Sequence, residues 1–191
     1  MKFSLPFFIL LLFTFPAQAH EGGAVGGFVT GLLHPVLGFD HLLAMVSVGI
    51  LSGQLGGKAI WTVPFAFVLM MLMGGLIGMQ EIALPLVEIA IGASVLCLGI
   101  AIAAYKKFPF LLMMIFVGFF AIFHGHAHGT EMPYISDAVF YSLGFVVGTT
   151  FIHIVGLAIS WLITKLPSGK NLLRYFGAGI AGVGFAILFI K

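Results

Sequence analysis

From Ile60 to Met79 the chain runs through twenty residues, IWTVPFAFVLMMLMGGLIGM, without a single charge. A run of that kind belongs in hydrocarbon as a helix. About 20 residues cross the apolar core of a bilayer, and the helix satisfies every backbone group internally. The rest of the chain repeats the pattern. With 61% of 191 residues apolar, 7% charged and a mean hydropathy of +1.22, there is too little polar surface to face water. Hydropathy and punctuation place six helices, at 26–52, 60–79, 82–104, 108–125, 137–164 and 172–190, joined by short connections. The expected fold is all-α, a polytopic membrane protein built as one six-helix bundle.

Residues 1–19 carry the basic Lys2, an apolar core from Leu5 to Phe15 and a small-x-small end at Ala17 to Ala19. That is the pattern of a cleavable secretory signal peptide, with an uncleaved anchor as the alternative. Cleavage after Ala19 leaves residues 20–191 as a single transmembrane domain, with His20 at its outer terminus. The positive charges sort the same way without reference to the signal. Lys58, Lys106, Lys107, Lys165, Lys170 and Arg174 fall in or beside alternate connections, as cytoplasmic loops require, and the intervening connections hold none. Both signals predict an outward amino terminus.

A net charge of +2 with no basic patch excludes nucleic acid as a partner. Cys97 has no second cysteine to pair with. Glycines at four-residue spacing, Gly74 with Gly78 and Gly144 with Gly148, and a small-residue run from Gly177 to Gly184, predict close helix packing inside the bundle rather than a dimerisation face. The oligomeric state stays open. Met70, Met71 and Met73 read as packing residues, because no adjacent His or Cys completes a soft metal site.

An ionisable residue at mid-membrane costs about 2.5 to 3.5 kcal/mol on insertion scales, so the few present mark sites or pathways. The first span carries His34, Asp40 and His41, with Met45 a turn further on. On an uninterrupted helix His34, His41 and Met45 share a face and Asp40 lies about 100° from His41, although Pro35 and Gly38 loosen the helix between them. The third span carries Glu88. The fourth ends at His124 and is followed by His126, His128 and Glu131 in FHGHAHGTE, read as a glycine-rich outer loop. His153 lies in the middle of the fifth. Each has a plainer reading: hydrogen bonding between helices for His34, His41 and His153, a buried hydrogen-bonded acid for Glu88, and solvated loop residues for His126, Glu131 and Asp137.

Neutral imidazoles beside carboxylates on one side of a membrane suit a divalent first-row cation. His124, His126 and His128 would gather it outside, and His34, Asp40, His41 and Glu88 would take it within the membrane. The ion is substrate, with no cofactor held permanently, and the bilayer is the other partner. Because imidazole binds metal only when deprotonated, uptake should weaken as pH falls through about 6.5. The chain has no phosphate-binding GxxxxGK[ST] loop for direct ATP drive, whereas the membrane potential favours inward movement of a divalent ion by about 4.6 kcal/mol per 100 mV. An intramembrane zinc hydrolase, with histidines on the metal and Asp40 or Glu88 as base, is the alternative. Bis-histidine haem ligation by His41 and His153 is a further one.

The pattern H-P-x-x-G-x-D-H-x-x-A-M from His34 to Met45 and F-H-G-x-A-H-G from Phe123 to Gly129 resembles the HupE/UreJ permeases associated with hydrogenase and urease accessory genes. The likeness extends over essentially the whole chain. The gap from His34 to Asp40 is one residue longer than in the larger nickel and cobalt permease family. The resemblance implies uptake of nickel, or sometimes cobalt, across a bacterial inner membrane for metalloenzyme assembly. It carries function onto His34, Asp40, His41, His124 and His128, and Glu88 fits the acid such proteins have in the third span.

Overall fold

The computed structural model describes residues 24–132 and 137–189; the expected signal peptide and His20 lie outside them. Among the described residues seven helices form and no strand: α1 Ala24–Leu37, α2 Phe39–Leu55, α3 Ala59–Met79, α4 Val87–Ala104, α5 Phe110–Thr130, α6 Ala138–Thr164 and α7 Gly169–Phe189. Helices α3 to α7 are each long and apolar enough to cross a membrane, which makes five spans, or six where α1 with α2 counts as one broken span and not as a re-entrant pair. The chain is thus a polytopic all-α membrane protein.

Three expected boundaries are corrected. The single first helix is broken into two, bent by 85° at Gly38. Pro35, inside the last turn of α1, has no N–H to donate, and Gly38 is extended at φ −93°, ψ 114°. His34 therefore does not share a straight helical face with His41 and Met45; Met45 points into the core. The third span starts at Val87 and not at 82, because Glu81 and Leu86 adopt left-handed conformations, φ 57° and 62°, on either side of Pro85. The fourth does not end at 125. It continues as helix to Thr130, so FHGHAHGTE is no loop.

Glycine favours turns in water, but here it lets backbones touch. A Cβ on Gly125 would strike the Met71 carbonyl of α3, while one on Gly74 or Gly78 would strike the carbonyl of Ile122 or His126 on α5. The same three contacts recur between α1 and α6. Gly31 faces the Tyr141 carbonyl, Gly144 that of Phe28 and Gly148 that of Leu32. A constant shift of 94 residues carries Phe28, Gly31, Leu32 and His34 onto Ile122, Gly125, His126 and His128, and a shift of 70 carries Met71, Gly74 and Gly78 onto Tyr141, Gly144 and Gly148. Exchanging α1 with α5 and α3 with α6 thus reproduces the packing, with α2 as an insertion in the first half. Gly99, Gly177 and Gly184 bring α4 against α7 in the same way. The expected glycine pairs are spent on packing within the bundle.

The two ends of the bundle differ in charge. Every described lysine and arginine lies at the end formed by the α2–α3, α4–α5 and α6–α7 connections, where Arg174 donates to the Ala103 carbonyl (3.2 Å) and Lys170 lies over the Tyr105 ring. Glu81, Glu88, Glu131 and Asp137 occupy the opposite end. Asp137 caps α6 there, accepting from the amides of Val139 and Phe140.

Candidate metal centre

Because α5 stays helical to Thr130, its histidines cannot act as one flexible cluster. His124 and His128, four residues apart, face inward together, while His126 between them is turned away. His126 donates Nε2–H to the Ile82 carbonyl in the loop before α4, at 2.8 Å. Of the three imidazoles expected to collect the ion from a loop, His124 and His128 instead join a buried cluster on the helix, and His126 braces the loop before α4 while its Nδ1 is buried without a partner among the described residues.

The bend at Gly38 brings His34 and His41 to the same two side chains from different directions. His34 and His128 rings lie 4.8 Å apart, His128 and His41 4.3 Å, and His41 and His124 4.8 Å. Four imidazoles thus form a continuous file. Glu131 stands at its outer end, with Oε2 3.1 Å from His34 Nε2 and 3.8 Å from His128 Nδ1. One ligand atom from each of His34, His128 and Glu131 lies within 4.8 Å of the others, close enough to share an ion. Exposure drops from the outer end to the inner one: the Glu131 side chain is 56% exposed, that of His34 14%, those of His128 and His41 4% and 9%, and His124 is wholly buried. The file runs from the acidic end of the bundle into its interior.

Hydrogen bonding decides which nitrogens are free. A carboxylate only accepts, so Asp40 Oδ1, 3.0 Å from His41 Nδ1, holds the proton there and leaves the Nε2 lone pair without a partner among the described residues. The same oxygen accepts the His41 backbone N–H at 2.9 Å. Gly38 is needed beside this pair, since a Cβ there would lie 2.9 Å from His41 Nδ1. Ser94 on α4 gives its hydroxyl proton to the Ile91 carbonyl (2.7 Å), so it accepts from His124 Nε2 at 2.9 Å and leaves His124 Nδ1 free. Both nitrogens of His128 lack a hydrogen-bond partner among the described residues. Fixing one ring nitrogen so that the other presents its lone pair is how histidines are oriented towards metals.

The backbone adds to this. His34 lies in the last turn of α1 and His128 in the last turn of α5. Two helix carboxyl ends, each carrying partial negative charge, therefore converge where a cation would sit. Aromatic rings of α6 wall this end: Phe145 lies 4.6 Å from His128, and Tyr141, stacked on Phe145, lies 5.7 Å from His34 and donates to the His128 carbonyl at 3.4 Å.

The structure brings together His34, Asp40, His41, His124 and His128 from the predicted set. Glu88 stands apart, exposed one turn outward of Ile91 on α4. Sequence reasoning did not place Glu131, Ser94 or Tyr141 at the site, nor Phe67, whose ring lies 5.7 Å from that of His124. Glu131 had a signal in its i+3 spacing from His128, hidden by reading the glycines as breakers.

Comparison with known proteins gives the same family as the motifs. The family described as HupE / UreJ protein matches residues 8–187. Protein HupE of Rhizobium leguminosarum bv. viciae is 44% identical over 172 residues, covering 90% of each chain. No solved structure matches. A family match over nearly the whole chain, with a relative that similar, establishes that the chain belongs to the HupE/UreJ family.

Proposed function

We propose that the protein imports a divalent transition-metal ion, nickel first and cobalt second, across a bacterial inner membrane to supply maturation of a metalloenzyme such as a hydrogenase or urease. The acidic end and its Glu131 face the periplasm, and the lysine-lined end faces the cytoplasm. The observation that carries this reading is the file of four imidazoles that leads inward from an exposed carboxylate, with His34 half-buried on that carboxylate and His128, His41 and His124 buried behind it with ring nitrogens that have no partner among the described residues. A dehydrating cation exchanges water for nitrogen at each step, with Glu131, Asp40 and two helix carboxyl ends offsetting its charge. The reading makes the chain a carrier and not an enzyme.

One contact bears on the hydrolase alternative. Ser94 and His124 are within hydrogen-bond distance, as a nucleophile and its base would be. The polarity is reversed, because the hydroxyl proton already goes to the Ile91 carbonyl and His124 is the donor. No carboxylate orients His124 either; its Nδ1 has no partner among the described residues.

The test is accumulation of nickel, cobalt and zinc at nanomolar supply in cells lacking other importers, comparing the protein with its His41→Ala variant at matched membrane levels. Uptake of nickel or cobalt that is lost in the variant is the expected result. Equal accumulation with and without His41 would refute the assignment.

A further inference from the structure

The file of imidazoles does not account for His153. It lies on α6, eight residues beyond Phe145, and so about 12 Å deeper along that helix than the ring that touches His128. It is 3% exposed, and neither ring nitrogen has a hydrogen-bond partner among the described residues. A histidine kept as structural glue between membrane helices would be hydrogen-bonded, because a buried polar group left unpaired loses its water without compensation. The ring stands edge-on to Phe67 and borders a groove of about 600 Å³ whose lining is apolar apart from His153 itself, Thr62 and Thr150.

Phe67 is what connects it to the site. That ring, 1% exposed, touches both histidines, 5.7 Å from His124 and 5.2 Å from His153. Beyond His153, seven residues on along α6, the hydroxyl of Ser160 is also buried without a partner among the described residues, in the direction of Lys165. We propose that His153 is a second cation station beyond Phe67, receiving the divalent ion from His124 and releasing it towards the lysine-lined end. The proposal rests on the transport reading above. A single imidazole binds more weakly than the cluster behind it, which suits a station that must let its ion go. Phe67 contacts both imidazoles, so the ion passes along its ring between the two stations.

The test uses the full-length protein, with equilibrium nickel binding in detergent and the initial rate of nickel uptake into proteoliposomes. Wild type is compared with His41→Ala, His153→Leu and His153→Gln. Both His153 variants should keep the tight nickel affinity within about twofold, as distant sites do. Their uptake should be about tenfold or more slower, as expected for a lost ligand. Uptake at the wild-type rate by either one overturns the proposal. The Gln variant retains a polar side chain of similar bulk, so it decides the matter if the Leu variant does not fold. The two readings fail separately: tight nickel binding that survives His41→Ala overturns the transport site, whereas unchanged flux in the His153 variants overturns only the inner station.

Discussion

Asp40 and Ser94 act through the proton they fix. Each holds one nitrogen of a neighbouring imidazole, and on the proposed transport reading the other nitrogen is the one that takes the ion. Replacing Ser94 by Ala frees the His124 ring to turn, and nickel affinity should fall about 10 to 100-fold, as it does when an outer hydrogen-bond partner of a metal-binding histidine is removed. Ser94→Thr keeps the hydroxyl and should keep the affinity; a calorimetric titration of the two variants checks both outcomes. The costly groups were legible in the sequence, since His34, Asp40, His41, His124 and His128 stand out against an apolar background. Ser94 and Phe67 were not, because serine and phenylalanine are ordinary in membrane helices and only proximity reveals their partners.

The helices themselves were legible from length and hydropathy, but their ends were not. Glycine misled at FHGHAHGTE, where α5 is held helical by contact with α3, and Pro35 with Gly38 announced a loosened helix without its direction. Contact also predicts which glycines matter. Gly125→Ala drives a methyl into the Met71 carbonyl and should destabilise the bundle by about 1 to 3 kcal/mol. Gly179→Ala meets open space and should change stability by about 0.5 kcal/mol or less. Thermal unfolding of both variants in one detergent separates the cases. At the helix break, Gly38→Ala puts a methyl against His41 Nδ1. It should weaken nickel binding while leaving the unfolding temperature near that of the wild type.

Taken whole, the bundle has an acidic end, a basic end and a file of imidazoles leading inward from the first, built on two halves that pack by the same glycine contacts. The sequence showed the charge sorting, which depends only on counting residues between spans. The duplicated packing was hidden because Gly31 and Gly125, or Gly144 and Gly74, are matched by position and not by the residues around them. With the acidic end outside, a cysteine placed at Glu81 should react with a membrane-impermeant maleimide in intact cells, and one placed at Lys106 should not. Reaction at Lys106 alone would invert the topology. If cation charge moves through uncompensated, a potassium diffusion potential that is negative inside should speed nickel uptake into proteoliposomes. An unchanged rate would point to charge-balanced exchange. The claim on which the rest depends is that the imidazole file holds the ion. X-ray absorption at the nickel edge of the loaded, purified protein should show a nitrogen shell dominated by imidazole, with no sulfur, that is lost in His41→Ala. A shell of oxygen alone, or an identical spectrum from the variant, would contradict it.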